Sequence, residues 1–271
     1  MLVVADGVRQ WSGPDGKTGA HTAPRPAQVT AAPSPPTPGL FVSWARLDRR
    51  DGRIVGSANL AEPSDTMSMV KPWLAADYLH RADADGVEPG PERFDRLSAM
   101  IRDSDNDAAE EFFGRLGGPE SITRMITRCG LTDSRPHWAP YWSNTTVSAR
   151  DTVRLGACLA DGRAAGQRWT PWLLSEMRAV RGTGDFGLRS VLPDSRAIAI
   201  KNGWLLRDED GLWHVACLAV ADDWVVGVLA RYPAALGLSY GTELCRDTGW
   251  RALAARPEDP DADPGAPPEP A

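Results

Sequence analysis

A serine and a lysine three positions apart are the first residues in this chain whose types and spacing could support chemistry. They are Ser68 and Lys71. On a helix, this spacing brings both side chains to one face, within reach of each other. A lysine amine beside a serine hydroxyl can act as the base that activates the oxygen. Only three of the 30 Lys and Arg residues are lysines. Because arginine cannot serve as a base, a lysine at this position favours catalysis over a solvated helix face.

Two later tripeptides complete a set of groups that acyl transfer would use. Residues 104–106 read Ser-Asp-Asn, and residues 201–203 read Lys-Asn-Gly. The reaction needs a nucleophile, a base, a path for the proton and donors for the developing oxyanion. We therefore predict an acyl-transfer site with Ser68 as nucleophile, Lys71 as base, Ser104 as proton relay, Asn106, Lys201, Asn202 and Gly203 as substrate-binding residues, and the backbone N–H groups of Ser68 and Trp204 as oxyanion donors. Lys201 is the residue expected to hold a substrate carboxylate.

The predicted secondary structure places these residues at the ends of elements. Pro72 is tolerated only near a helix start, so a helix should begin close to Ser68. Apolar periodicity and turn signals predict a hairpin at 40–47 and near 54, helices within 92–131 and at 150–161, 171–180 and 240–254, and strands at 197–200, 213–220 and 224–230. This order predicts an α/β (α+β) fold, with one five-stranded antiparallel sheet assembled from both chain ends and the helical block as a separate lobe.

The two ends of the chain differ in composition from its body. Residues 1–39 end in a proline-rich run, which predicts a disordered, extended N-terminal segment. Residues 256–271 are acidic and proline-rich, and we expect a disordered tail. Residues 40–255 are then predicted to form the folded domain.

Composition also argues against several classes of function. The formal charge of −6 is unfavourable for nucleic-acid binding, which wants a basic face. No run approaches the ~18 apolar residues of a membrane helix, and the first residues lack a signal-peptide pattern. The four histidines are scattered without an H-E-x-x-H motif, so we expect no metal and no cofactor. A small-molecule substrate and a monomeric chain are the simplest expectation.

Four cysteines lie far apart in the sequence, at Cys129, Cys158, Cys217 and Cys245. None belongs to a C-x-x-C pair, which argues against zinc or thioredoxin-like chemistry. The favoured interpretation is buried, unpaired thiols that act as small apolar residues, with one disulfide as the alternative.

Two other motif matches compete with the proposed site. Residues 237–241 match the G-x-S-x-G pattern, which would make Ser239 a nucleophile. An α/β-hydrolase with its nucleophile at this position needs a histidine later in the chain, and no histidine follows His214. Residues 182–187 match G-x-G-x-x-G but follow a predicted helix instead of a strand, which argues against dinucleotide binding. We interpret both stretches as turns.

The three catalytic stretches, in this order, resemble the Ser-x-x-Lys, Ser-Asp-Asn and Lys-Thr-Gly set of penicillin-recognising serine hydrolases, the class A β-lactamases and D,D-peptidases. The resemblance covers residues 40–255 and includes Gly-Gly-Pro-Glu-Ser-Ile-Thr at 117–123 and Trp-Ala-Pro at 138–140, where β-lactamases carry their Ω-loop. It implies an α/β/α sandwich and an acyl-enzyme on Ser68 formed with β-lactams or D-Ala-D-Ala-like (peptidoglycan-type) peptides. It also implies an extracytoplasmic location.

The chain departs from the family pattern in two places that bear on activity. Asn202 stands where the family has Thr, which alters one substrate-binding hydroxyl. Residues 135–146 contain no Asp or Glu, whereas β-lactamases place a glutamate there to activate the deacylating water; His137 is the only obvious titratable replacement. We therefore expect slow deacylation. The alternatives are a D,D-peptidase- or esterase-like enzyme with little β-lactamase activity, or a non-catalytic module that binds cell-wall peptides.

Overall fold

The computed structural model describes residues 39–136 and 141–255. Residues 1–38 and 256–271, which hold most of the predicted linker and the whole predicted tail, lie outside this range, as do His137 and the Trp-Ala-Pro stretch. The strands are β1 (Phe41–Asp48), β2 (Ile54–Gly56), β3 (Pro63–Asp65), β4 (Thr146–Ser148), β5 (Ala199–Leu206), β6 (Leu212–Val220) and β7 (Trp224–Pro233). The helices are α1 (Lys71–Ala84), α2 (Pro91–Arg102), α3 (Asn106–Arg115), α4 (Pro119–Cys129), α5 (Ala149–Ala160), α6 (Thr170–Arg178) and α7 (Gly237–Ala254).

Five strands form one antiparallel sheet in the order β2-β1-β7-β6-β5. Strand β1 pairs with β7 along its whole length, from Phe41 opposite Arg231 to Asp48 opposite Trp224. The predicted assembly of the sheet from both ends of the chain is therefore confirmed. Strand β5, which carries Lys201, is an edge strand of this sheet.

Helices α5 and α7 cover opposite faces of the sheet. Consecutive residues of a strand point to opposite faces, and Leu218 of β6 meets Gly156 of α5 while its neighbour Cys217 is bonded to Cys245 of α7. A Cβ atom at Gly156 would lie 2.5 Å from a methyl carbon of Val225, so only glycine lets α5 pack this closely. The result is a helix–sheet–helix sandwich with the core on both sides of the sheet.

Helix α1 is the centre of the helical lobe. Nine of its 14 residues are buried, so it is enclosed on nearly all sides by its neighbours. The indole of Trp73 donates a hydrogen bond to the backbone oxygen of Ser121 at 3.0 Å, and the buried carboxylate of Asp77 accepts one from the Ser121 hydroxyl at 2.7 Å. These contacts fix the helix that follows Ser68. Within the described residues, no helix combines the length and hydropathy that a membrane crossing requires.

A two-stranded sheet of β3 and β4 was not predicted from the sequence. It pairs Ser64 with Val147, and the backbone N–H of Thr66 continues the contact by donating to the carbonyl of Thr145 at 2.8 Å. The segment before Ser68 is thereby tied to the end of the loop 135–146. Three-residue strands give too short a pattern to recognise in advance.

The cysteine prediction was wrong. Cys129 is bonded to Cys158, which joins α4 to α5, and Cys217 is bonded to Cys245, which joins β6 to α7. The Cα atoms of the two pairs are 5.4 and 6.2 Å apart, within the range that a disulfide spans. Partners 29 and 28 positions apart belong to different elements, so their pairing depends on tertiary packing that sequence spacing does not reveal.

Candidate active site

Ser68 lies in a 3-10 turn, Met67–Val70, that leads directly into α1. The residue before it, Met67, has φ +48°, a left-handed conformation that costs free energy in a residue other than glycine. Met67 and Met69 are buried, whereas Ser68 between them is partly exposed. The turn therefore holds its two neighbours in the core and presents the serine at the surface of a cavity.

Strand β5 passes very close to this turn. A Cβ atom on Gly203 would lie 2.5 Å from the backbone nitrogen of Ser68 and 2.6 Å from the carbonyl oxygen of Thr66. Only glycine permits this approach, which accounts for the glycine of the Lys-Asn-Gly stretch. Trp204, the next residue, lines the same cavity as Ser68. The predicted oxyanion donors thus come from neighbouring elements, and their function stays a prediction.

Lys71 is fully buried and contacts the Ser-Asp-Asn stretch. Its Nζ donates to the Ser104 carbonyl, to the Ser104 hydroxyl at 3.3 Å and to Oδ1 of Asn106 at 2.8 Å, and it lies 4.6 Å from the ring centre of Trp142. Among the described residues, no hydrogen bond joins it to the Ser68 hydroxyl. Burial lowers the pKa of Lys71 from 10.5 to about 7, although the nearby Asp105 carboxylate opposes this effect. A substantial neutral fraction is then present near neutral pH.

Lys201 approaches the same hydroxyl from β5. Its Nζ donates to Oγ of Ser104 at 2.8 Å and to the carbonyl of Asn202 at 3.4 Å, and the side chain is fully buried. Burial, reinforced by the charge of Lys71, holds the pKa of Lys201 well below its usual range. Two amines therefore use the two acceptor lone pairs of the Ser104 oxygen, which leaves its own O–H as a donor.

The loop between α2 and α3 positions Ser104 under backbone strain. Ser104 has φ +61°, which is unfavourable for a residue with a side chain. The carboxylate of Asp105 caps α3 by accepting from the backbone N–H of Ala108 at 2.6 Å, and Asn106 opens the helix. The Asp of Ser-Asp-Asn is thus a helix cap, and the residues on either side of it contact Lys71.

Asn202 points away from the predicted substrate. It is 1% exposed, and its Nδ2 donates to the carbonyls of Gly184 at 3.0 Å and Phe186 at 2.9 Å. Both amide hydrogens are used in these bonds. The substrate-binding role of Asn202 stays a prediction, and its contacts favour positioning of the 182–187 segment. That segment forms a turn after α6 whose Gly184 lines the cavity wall, so the turn interpretation holds.

The predicted residues converge on one cavity of about 680 Å³, a size typical of small-molecule sites. Ser68, Ser104, Asn106 and Trp204 line it, and the buried amines of Lys71 and Lys201 lie behind them. The competing Ser239 lies in the first turn of α7 and does not line the cavity.

Sequence reasoning missed several residues of this site. Trp213 and Arg181 line the cavity, and no motif marks them. Arg207 was also missed. Its guanidinium lies 2.9 Å from the Asp65 carboxylate and donates to Oδ1 of Asn144 at 2.8 Å, so it links the segment before Ser68 to the loop at 141–145.

A neighbouring histidine shares the Asp65 carboxylate with Arg207. Nδ1 of His214 lies 3.2 Å from Oδ2 of Asp65 without the alignment of a hydrogen bond, and its Nε2 is 2.8 Å from Oδ2 of Asp210. Nothing in the sequence foretold this cluster, because Asp65 is far in the chain from the hairpin stretch 207–214 that carries the other members.

Comparison with known proteins gives consistent matches. The model of the beta-lactamase enzyme family matches residues 94–247. Proteins described as putative lipoprotein LppW, from Mycobacterium tuberculosis (strain ATCC 25618 / H37Rv) and Mycobacterium bovis (strain ATCC BAA-935 / AF2122/97), are 33% identical over 180 residues. That alignment covers 62% of this chain and 55% of theirs, so the chain spans about half the length of these relatives.

Solved structures share the fold at low sequence identity. The TLA-1 extended spectrum β-lactamase superposes with a TM-score of 0.63 at 16% identity, covering 77% of this chain and 90% of that one. A variant of a class A β-lactamase described as the last common ancestor of Gram-negative bacteria gives a TM-score of 0.59 at 21% identity, covering 77% and 91%. The predicted fold, a five-stranded antiparallel sheet with a helical lobe, is confirmed.

Proposed function

Because the chain belongs to the beta-lactamase enzyme family, we propose that it is a serine acyl-transfer enzyme that forms an acyl-enzyme on Ser68. Its acyl donors are β-lactams, D-Ala-D-Ala-like peptides or related esters. The observation that carries this proposal is the hydroxyl of Ser104, which accepts hydrogen bonds from the buried amines of Lys71 and Lys201 beside the cavity that holds Ser68. A purely structural cluster would have no reason to bury two amines around one hydroxyl, since burial of unpaired cations is costly.

The proposed reaction follows from this arrangement. Oγ of Ser68 attacks the acyl carbon, and its proton passes to the neutral amine of Lys71. The oxyanion is stabilised by the backbone N–H groups of Ser68 and Trp204. The Ser104 hydroxyl gives its proton to the leaving nitrogen or oxygen and regains one from Lys71, to which it is hydrogen-bonded. The acyl carbon thus exchanges its bond to the leaving group for a bond to Ser68.

Deacylation is the step that the residues of this chain support least. Residues 135–146 carry no carboxylate that could activate water. We therefore propose a long-lived acyl-enzyme and low β-lactamase turnover, as in a D,D-peptidase- or esterase-like enzyme. A non-catalytic module that binds cell-wall peptides is the second candidate, and the Asn202 substitution in the third motif is the observation in its favour.

We also propose that the protein works outside the cytoplasm. Its relatives are described as lipoproteins, and all four of its cysteines are in disulfides, which persist in oxidising compartments. Fractionation of cells, combined with alkylation of free thiols before lysis, tests this location. Native protein found in the cytosol with four alkylated cysteines would contradict it.

The decisive experiment is intact-mass measurement after incubation with two acyl donors, a penicillin and an activated neutral ester. The mass should rise by one acyl group, and peptide mapping should locate it on Ser68. Ser68→Ala should abolish the adduct, whereas Ser239→Ala, at the competing motif, should not affect it. An unchanged mass with both donors would reject the enzyme in favour of the binding module, and an adduct on Ser239 would reject the assigned nucleophile.

A further inference from the structure

The cations that the structure describes beside the cavity are already in contact with protein groups. Lys201 is fully buried, and its donors are directed to Ser104 and to the backbone. Arg181 lines the cavity, but its Nε and Nη2 donate to the two carboxylate oxygens of Asp103 at 2.6 and 2.8 Å, and Asp103 lines the same wall. Among the described lining residues, the charged side chains therefore form one neutral pair.

Several of the other side chains that line the cavity are large and apolar. Leu205 and Leu206 of edge strand β5 are 43% and 39% exposed, although leucine favours burial. Both line the cavity, together with the indoles of Trp204 and Trp213. The Trp204 ring packs edge-on against Phe186 at 5.7 Å, which holds it in place. Exposed apolar residues that converge on a small-molecule cavity are typical of a surface that a ligand covers.

We propose that, among its acyl donors, this site reacts fastest with an uncharged carboxylic acid derivative that carries a large apolar or aromatic acyl group. This inference rests on the proposed acyl-enzyme at Ser68 and names its substrate class. The apolar acyl group lies against the leucine and tryptophan side chains of β5 and β6. A carboxylate on the leaving group is disfavoured, because the described lining of the cavity offers no unpaired cation to hold one. Lys201 then acts on Ser104 and does not bind the substrate.

Such a donor needs no reactant other than water to complete the cycle. With an aryl ester, the bond between Oγ of Ser68 and the acyl carbon forms as the bond from that carbon to the phenolic oxygen breaks. The Ser68 proton goes to Lys71, and the Ser104 hydroxyl supplies the proton that releases a neutral phenol. Water later hydrolyses the acyl-serine to the free acid and restores Ser68.

Three aryl esters separate the charge and size requirements. Phenyl phenylacetate and 3-carboxyphenyl phenylacetate differ only by a carboxylate, and phenyl acetate lacks the aromatic acyl group. We expect the neutral phenylacetyl ester to acylate Ser68 at least ~10-fold faster than its carboxylated partner and about 100-fold faster than phenyl acetate, since each buried methylene or ring contributes a sizeable factor. Equal or faster reaction of the carboxylated ester would overturn the inference. Failure of all three esters and of a penicillin to label Ser68 would instead reject the proposed function.

Two sets of variants test the residues that carry the inference. Asp103→Asn should free the Arg181 guanidinium and raise the rate with the carboxylated ester about 10-fold relative to the neutral one, and the double variant Asp103→Asn/Arg181→Gln should lose this gain. Leu206→Ala should reduce the preference for phenylacetyl over acetyl. The control is Leu236→Ala, because Leu236 has the same 39% exposure and does not line the cavity. Two results would contradict the assignment. One is an unchanged ratio of acylation rates for the carboxylated and neutral esters in Asp103→Asn. The other is an equal change in the phenylacetyl-over-acetyl preference in the two leucine variants.

Discussion

The Nζ atom of Lys201 lies 2.8 Å from the hydroxyl oxygen of Ser104, a residue 97 positions earlier in the chain. Lys71 donates to the same oxygen from the opposite lobe. Two ammonium groups buried around one hydroxyl would repel each other, so the arrangement favours a neutral form for at least one of them. In the proposed mechanism, Ser104 connects Lys71, the amine that accepts the proton of Ser68, to the cavity in which the leaving group is protonated.

The acylation rate should rise with pH through about 7. Neutral Lys71 is the proposed base, and burial lowers its pKa from 10.5 to about 7. Below that pH the amine is protonated and inactive, so the rate should increase from pH 6 to pH 8 and then level off. Second-order acylation rates measured with one neutral ester from pH 5.5 to 9 test this.

A conservative substitution of the same residue provides the control. Lys71→Arg keeps a positive charge but cannot accept the proton, and loss of a general base costs on the order of 100-fold or more. A variant that acylates at the parent rate, with the same pH profile, would show that another group takes the proton from Ser68.

Two substitutions of Ser104 should separate the contribution of its hydroxyl to acylation from the cost of its backbone conformation to stability. Both Ser104→Ala and Ser104→Gly remove the hydroxyl and should slow acylation by about 100-fold. Because Ser104 has φ +61°, the glycine variant should have the higher free energy of unfolding, by about 1 kcal/mol. Urea denaturation and ester kinetics on the two variants measure both effects. Full activity in either variant would exclude Ser104 from the proton path.

The link between Arg207 and Asp65 should contribute to stability and to the position of the nucleophile. Their atoms are 2.9 Å apart, and both side chains are largely buried. Arg207→Met and Asp65→Asn should each lower the free energy of unfolding by about 1–3 kcal/mol, the cost of a lost charged hydrogen bond. The double variant should lose less than the sum, because the residues share one interaction.

An exposed ion pair provides the matched control for these single and double substitutions. Arg50 and Asp48 are 2.6 Å apart, but the arginine is 70% exposed, and Arg50→Met should change stability little. Arg207→Met should also slow acylation, since Arg207 contacts Asn144 and Met67 beside Ser68. Additive effects of the Arg207 and Asp65 substitutions would mean that the pair does not act as a unit.

The sequence foretold the residues around Ser104 because each chemical group lies in a short local pattern. The spacing of three from Ser68 to Lys71 and the tripeptides at 104–106 and 201–203 are visible without tertiary information. The sheet was also predictable, since β6 and β7 are dense in apolar residues and joined by a tight turn. These features depend on sequence neighbours, whose mutual geometry secondary structure fixes.

The sequence did not predict the contacts that depend on the direction in which a side chain points. Asn202 lies within a recognised motif, yet its amide donates to Gly184 and Phe186 because alternate residues of β5 face opposite ways. The contact of Arg207 with Asp65 and the apolar wall at Trp213 arise from segments that meet only in the folded chain. No periodicity within one segment carries that information.

The two disulfides should stabilise the domain to similar extents. Each closes a loop of just under 30 residues, and loop-closure entropy for that length gives about 3–4 kcal/mol. Cys129→Ala/Cys158→Ala and Cys217→Ala/Cys245→Ala should each lower the urea midpoint, and reducing agent should have no further effect on a variant without either bond. If reduction of the parent protein leaves its urea midpoint unchanged, the bonds do not form in solution.

The acyl-enzyme should accumulate during turnover. Residues 135–146 contain no Asp or Glu, and Trp142 and Ser143 from the described part of this loop line the cavity without offering a base. General-base assistance is worth about two to four orders of magnitude, so water should attack the acyl-serine slowly. Stopped-flow measurement with a chromogenic ester or cephalosporin should give a burst of one equivalent followed by a slow steady state. Added hydroxylamine, which attacks esters without a general base, should accelerate that steady state and leave the burst unchanged. Rapid multiple turnover without a burst would mean that another residue, such as His137, activates the water.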